Sequence, residues 1–199
     1  GRLRPIDPAR DTARLYALSH GAEREALWAY LFTGPYADPQ DFEAHVVTIA
    51  ASLHDPVYWA VADRNDDAVG WLSLMRIHTR HRVIEVGSIL YTPAMQRTAL
   101  ATEAQYLLAR HVFDDLGYRR YEWKCNDLNA PSKRSAVRFG FTYEGLFRQH
   151  MLVKGRNRDT AWFAMLDHEW PARKAIYERW LAPDNFDANG QQRHRLGEE

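Results

Sequence analysis

The chain has 199 residues, 46% of them hydrophobic and 26% charged, and its 26 basic side chains balance 26 acidic ones. A chain of this length buries ~70% of its unfolded surface on folding, enough for one core without disulfides or metals. Zero formal charge argues against bulk binding to nucleic acid or an anionic membrane, and a lone cysteine, Cys125, excludes an internal disulfide and a cysteine-rich metal site. That cysteine usage suits a reducing, cytoplasmic setting. No apolar run approaches the ~18 residues of a membrane helix. Gly1-Arg2-Leu3-Arg4-Pro5 does not read as a signal peptide.

In chain order, Arg2 to Ile6 reads as a short strand, and Pro8 opens a helix that stops near Gly21. A second helix is expected around Leu27, Trp28, Tyr30 and Leu31, before the breaker Gly34-Pro35. Asp38-Pro39 starts a third, with Phe42, Val46, Ile49 and Leu53 on one face. Val57–Ala62, Ala68–Ile77 and Val83–Tyr91 read as successive strands, separated by an acidic loop at 63–67 and a turn at 78–82. A long helix is predicted over Gln96–Leu116, stopped by Gly117. Arg119–Cys125 reads as a strand and Asn129–Phe139 as a helix closed by Gly140. Phe141–Val153 and Thr160–Leu166 form a predicted hairpin around Lys154-Gly155-Arg156-Asn157, followed by a helix over Glu169–Leu181. The class is α/β or α+β. Residues 1–182 read as one domain. Residues 183–199 form a polar tail with the composition of a disordered segment, so order there is expected to need a partner, a ligand or a neighbour.

The chemistry concentrates between Glu85 and Phe141. A strand ending at Tyr91-Thr92-Pro93 feeds a helix N-terminus, whose free backbone N–H groups and positive dipole end suit a diphosphate. No Walker phosphate loop and no Gly-x-Gly-x-x-Gly is present. Glu85 sits in the apolar run Val83-Ile84-Glu85-Val86, where desolvation would make it a usable general base; the alternative is a carboxylate with an ion-pair partner.

Val83 to Tyr91, Gln96 to Glu103, Asn126 to Ser132, Arg138-Phe139-Gly140-Phe141 and Tyr143-Glu144-Gly145 together resemble the GNAT superfamily of acyl-CoA-dependent N-acetyltransferases. Within it they are similar to the branch of ribosomal-protein-alanine and related protein N-acetyltransferases. The resemblance implies a mixed, mostly antiparallel sheet splayed between its fourth and fifth strands. Acetyl-CoA would lie in that cleft as cosubstrate. Backbone N–H groups at Leu90, Tyr91 and Thr92 would face the thioester, and the diphosphate would sit on the loop and first helical turn, Gln96, Arg97, Thr98, Ala99, Leu100 and Ala101. The family's glycines are replaced here by Arg97 and Ala99, which puts cofactor affinity in question. The tyrosine that many relatives use as general acid is Ala136 here. Ser132 is the substitute the resemblance implies; otherwise it is a first-turn residue of its helix. Asn129 would cap that helix or bond pantetheine, and Lys133 or Arg134 would meet the 3′-phosphate.

On the acceptor side, Trp28, Phe32 and Tyr36 around the Gly34-Pro35 loop are candidate walls and His150 a candidate contact, with core aromatics and a half-buried strand histidine as the plain alternatives. His78-x-x-His81 has metal-ligand spacing but no third ligand in sight, and no metal is expected. Cys125 reads as a small buried hydrophobe without an activating base. The implied activity is acetyl transfer to a primary amine, either a protein N-terminus or a small molecule such as an antibiotic or polyamine. The rival is a GNAT-fold module without catalysis. A homodimer is a possible assembly; no nucleic-acid or membrane partner is expected.

Overall fold

The computed structural model describes residues 1–197. Seven strands form one sheet, in the order β1 (Arg2–Arg4), β2 (Val57–Ala62), β3 (Ala68–His78), β4 (Val83–Tyr91), β5 (Arg120–Asn126), β7 (Arg156–Leu166) and β6 (Thr142–Val153). Every neighbouring pair is antiparallel except β4 and β5, which run parallel. The α-helices are α1 (Pro8–Ser19), α2 (Pro39–Ala50), α3 (Ala99–Arg110), α4 (Ala130–Arg138) and α5 (Trp170–Leu181).

The helix starts follow local chemistry. The Asp7 carboxylate accepts from the N–H groups of Ala9 and Arg10, with Pro8 in the first turn of α1. Asp38 and Pro39 repeat the device at α2. Asn129 caps α4 by accepting from the Ser132 N–H.

Three boundaries differ from the sequence reading. The segment around Leu27–Leu31 is not an α-helix; Ala22–Trp28 forms a 3₁₀ helix instead. Trp28 is fully buried and donates its indole N–H to the Ser19 carbonyl at 2.8 Å, which pulls the connection tight against α1. The predicted helix over Gln96–Leu116 begins only at Ala99, because Arg97 adopts a left-handed φ of 60°. It leaves α geometry at Arg110 and finishes as a π-turn over His111–Asp115. The last hairpin is tighter than expected. Lys154 and Gly155, with φ of 50° and 72°, make a two-residue turn, so β7 starts at Arg156 rather than Thr160.

Strand alternation sends Leu72 and Leu74 to one face of the sheet and Trp71 to the other. The larger core packs Leu72, Leu74, Tyr121, Trp123 and Phe163 against Leu108 of α3 and Tyr177 of α5. The smaller one packs Trp71, Leu15, Trp28, Phe42 and Val46 beneath α1 and α2. His20 lies within this aromatic cluster. It accepts from the Tyr36 backbone N–H at its Nε2, and burial pulls its pKa below the ordinary histidine value.

The sign of the pH effect follows. Below the unfolded histidine pKa, ~6.5, the unfolded chain binds a proton that the folded one resists, so stability falls as pH drops further. Thermal unfolding between pH 7.5 and 5 should show this loss. A His20→Gln variant, which keeps an acceptor for Tyr36, should show a flatter profile. An unchanged slope would mean that other groups set it.

The tail folds on its own chain, contrary to the expectation of disorder. Asn185 donates to the Trp180 carbonyl at 2.8 Å, Trp180 donates to the Gln192 side chain at 3.0 Å, and Phe186 packs edge-on against Trp180. Leu196 reaches the larger core. No helix among the described residues is long and apolar enough to cross a membrane.

Candidate active site

The parallel pairing of β4 and β5 is short. It runs from Val83–Arg120 to Val86–Trp123 and stops there. Three residues of β3, from Trp71 to Ser73, lie opposite four of β4, from Leu90 back to Gly87. The extra residue is a bulge at Ser88, which has a φ of 47°. The bulge bends β4 away from β5, and the sheet splays between its fourth and fifth strands. A cavity of about 1370 Å³ opens at this gap.

The cavity brings together many of the residues singled out by sequence. Leu90, Tyr91, Gln96, Arg97, Thr98, Ala99 and Ala101 line it from the β4–α3 side. Asn129 and Ser132 line it from α4, and Glu85 lies at its floor. Thr92 and Leu100 do not: Thr92 is fully buried with its hydroxyl on the Val69 carbonyl, and Leu100 packs on the larger core. Lys133 turns to Asp127 at 2.8 Å, and its neighbour Arg134 faces the cavity instead.

Of the acceptor-side candidates Phe32 lines the cavity, and Trp28, Tyr36 and His150 do not. Trp28 and Tyr36 are members of the smaller core, and His150 sits on the exposed edge strand β6 with Nδ1 3.0 Å from Thr160 Oγ1. Leu27, Tyr30 and Leu31 line the cavity with Phe32. Which side of Trp28 turns outward cannot be read from sequence when the helix that ends there is 3₁₀ rather than α.

At the α3 end, Thr98 supplies no side-chain cap, so the first backbone N–H groups of the helix stay open toward the cavity. Arg97, Arg134 and Arg138 stand around the same opening. Free N–H groups and three guanidinium groups suit a diphosphate with a further phosphate. The tail adds Phe186 and Gln192 to this rim, a contribution that its polar composition concealed.

Glu85 is 3% exposed and has ion-pair partners, the alternative that its sequence context left open. Arg76 Nη1 donates to its Oε1 at 2.7 Å. Arg76 has a left-handed φ of 49° at a break in the β3–β4 register, which turns it toward Glu85. Lys124 Nζ is 2.9 Å from Oε2 and also 2.7 Å from Glu122, and it lies 3.8 Å from the centre of the Trp162 ring. The Lys124 contact is an ion pair without hydrogen-bond geometry, so Oε2 is buried with an unused lone pair. Across the gap, Trp123 Nε1 donates to Ser132 Oγ at 3.0 Å. That occupies an acceptor site and leaves the hydroxyl hydrogen free to point elsewhere. Cys125 is buried and lines the cavity; burial pushes its thiol above the ordinary value, the opposite of an activated nucleophile. No group of three or more His, Cys, Asp or Glu side chains is placed to hold a metal among the described residues.

Comparison with known proteins agrees with this geometry. The acetyltransferase (GNAT) domain family matches residues 2–142. A GCN5-related N-acetyltransferase from Brucella melitensis is 49% identical, over 98% of this chain and 88% of that one, with a TM-score of 0.94. A probable GNAT-family acetyltransferase from Chromobacterium violaceum ATCC 12472 is 42% identical, over 85% of this chain and 84% of that one, with a TM-score of 0.78. A Vibrio cholerae protein described as a ribosomal-protein-serine acetyltransferase shares the fold at 19% identity, over 82% of this chain and 92% of that one, with a TM-score of 0.71. No curated protein matches the chain. With the splayed sheet, the open α3 N-terminus and the family match over residues 2–142, the chain belongs to the GNAT acetyltransferase family.

Proposed function

We propose that the protein transfers an acetyl group from acetyl-CoA to a primary amine by direct attack in a ternary complex. The observation that carries this reading is the pair of groups on opposite banks of one cavity: the unused lone pair of Glu85 Oε2 and the Ser132 hydroxyl. Acetyl-CoA, when bound, supplies the activated acyl group. Arg97, Arg134, Arg138 and the α3 N–H groups hold its phosphates. The outward edge of β4 beyond Val86 has no strand partner and meets the thioester end. The Glu85 carboxylate takes the proton of the incoming amine through an intervening water, because its Oε2 is itself buried against Lys124. Ser132 donates a hydrogen bond to the departing sulfur, which leaves as the thiolate and takes its proton from solvent. Much of the acceleration comes from alignment of the two substrates in the cleft.

The roof of the acceptor side favours a small-molecule amine over a protein N-terminus. Tyr30 donates to the Leu128 carbonyl at 3.1 Å, and Lys154 donates to the Trp28 carbonyl at 2.8 Å. These bridges tie the 3₁₀ segment to the β5–α4 loop and to the β6–β7 turn, across the route a polypeptide would need.

Acetyl-CoA at a hundredfold excess over its Kd should raise Tm by about 5–10 °C, because it binds only the folded state. No rise at millimolar acetyl-CoA would overturn the proposal. Arg97→Gly separates two effects at the phosphate end. Glycine relieves the left-handed backbone, which costs an L-residue ~1–2 kcal/mol, so the ligand-free Tm should rise. Arg97 is exposed on the cavity rim with no ion pair among the described residues, so its loss should weaken acetyl-CoA binding and flatten the salt dependence. Tighter binding to the glycine variant would mean that Arg97 obstructs the phosphates.

A further inference from the structure

The strip of sheet beneath the acceptor side carries a chain of ion-paired charges, buried at Glu85, Lys124 and Glu122 and opening to solvent at Arg76 and Glu144. Glu85 pairs with Arg76, Lys124 with both Glu85 and Glu122, and Arg120 with both Glu122 and Glu144. Three carboxylates are thereby matched by three cations. Arg158, on the same face of β7, is a fourth cation left over. It is only 6% exposed and makes no ion pair among the described residues. Its Nε donates to Thr160 Oγ1 at 3.1 Å, and its guanidinium carbon stacks 5.1 Å from the centre of the Phe32 ring. Its terminal nitrogens make no hydrogen bond among the described residues, and the residue lines the cavity. Burial pulls this guanidinium below its ordinary pKa, and the nearby Glu85 charge offsets part of that pull.

A buried, unpaired guanidinium is costly, and the fork matches a carboxylate in bidentate geometry. Phe32 comes from the acceptor wall, and Glu85 and Met75 lie on the same floor, so this is the acceptor end of the cavity and not the phosphate end at Arg97 and Arg134. We propose that Arg158 binds a carboxylate of the acceptor, so that the substrate is a small amine bearing a carboxylate within a few bonds of its amino group. This deepens the acetyltransferase reading and rests on it. Glu85 and Arg158 then read the two ends of an amino acid: the Glu85 carboxylate receives the ammonium proton through the intervening water and the fork receives the carboxylate. A polyamine would bring a second positive charge to Arg158 and be repelled.

The test is release of CoA thiol from acetyl-CoA with matched acceptors: α- and ω-amino acids, each beside its amide and its decarboxylated amine, with spermidine and short peptides included. The carboxylate-bearing member of a pair should be favoured about 10- to 100-fold in kcat/KM, the range of a hydrogen-bonded charged contact. Arg158→Gln should erase that preference while leaving KM for acetyl-CoA unchanged. Arg158→Lys should restore part of it. A merely structural Arg158 would change Tm and overall rate without touching the preference. Equal rates within the wild-type pairs, a best acceptor that is a peptide or polyamine, or a preference that survives in Arg158→Gln would each overturn the inference. So would an absence of turnover across the panel. The Tm shift with acetyl-CoA, measured on the same samples, reports separately whether the cosubstrate reading stands.

Discussion

Glu85→Gln is expected to lower kcat about 10²- to 10⁴-fold, the range for removal of a general base, while KM for acetyl-CoA barely moves. The substitution keeps the shape of the side chain and its Oε1 acceptor for Arg76, and removes only the charge and the basic Oε2. Stability also changes, and the magnitudes separate the two effects. Removing one member of a fully buried ion pair costs ~3–5 kcal/mol, because the other charge is stranded. Here Lys124 keeps Glu122, and the Arg76 side chain is 35% exposed and partly hydrated, so the loss should fall below that range. A protein that melts only a few degrees lower but turns over at least a hundredfold more slowly is the expected phenotype. Single-turnover rates on the true acceptor make the decisive measurement. A near-normal chemical step at neutral pH would show Glu85 to be part of the ion-pair chain alone, with the proton leaving to solvent.

Trp28→Ala should be the most damaging of the core changes considered. Trp28 is fully buried, touches His20, Tyr36, Phe42 and Trp71, and donates its N–H to the Ser19 carbonyl. Truncating such a side chain costs ~3–5 kcal/mol, which for a chain of this size lowers Tm by about 6–20 °C. Gly34 holds the far side of the ring. It has a φ of 62°, and a Cβ there would come within 2.4 Å of the indole. Trp28→Phe should lose less, because the ring volume is largely kept and only the Ser19 hydrogen bond and part of the packing go. These variants also decide what the aromatic segment does. Tyr30 and Phe32 line the cavity, and Trp28 anchors the turn that presents them. Trp28→Phe should therefore change Tm more than it changes acceptor KM. A raised acceptor KM at unchanged Tm would make Trp28 itself part of the wall.

Local chemistry decided a large part of this molecule, and that part was legible. Asp7-Pro8 and Asp38-Pro39 announce helix starts because a carboxylate and a fixed φ satisfy the first turn whatever the rest of the chain does. The strands over Val57–Ala62 and Val83–Tyr91 appear where the apolar runs place them. The motifs from Glu85 to Phe141 identified the family, and Glu85, Ser132, Asn129 and the Gln96–Ala99 loop meet in one cavity.

What the sequence left open depends on positions that only the folded chain brings together. Nothing in Gly87-Ser88 announces a bulge, yet that extra residue opens the sheet. The sequence left open whether Glu85 has an ion-pair partner; its partners Arg76 and Lys124 come from different strands, one of them turned inward by a left-handed residue. Phe32 lines the cavity as its place beside Gly34-Pro35 suggested, but Trp28, at the end of a 3₁₀ helix and not on an α-helical face, and Tyr36 pack on the smaller core, and Tyr30 lines the cavity instead. The tail lacked the apolar content to fold alone, and it is ordered by Trp180 and by the sheet-backed core that α5 covers. Arg158 had no distinguishing mark in sequence among the chain's arginines. Its meaning rests on being buried beside three matched ion pairs with none left for itself, a property of the tertiary charge pattern rather than of any local segment.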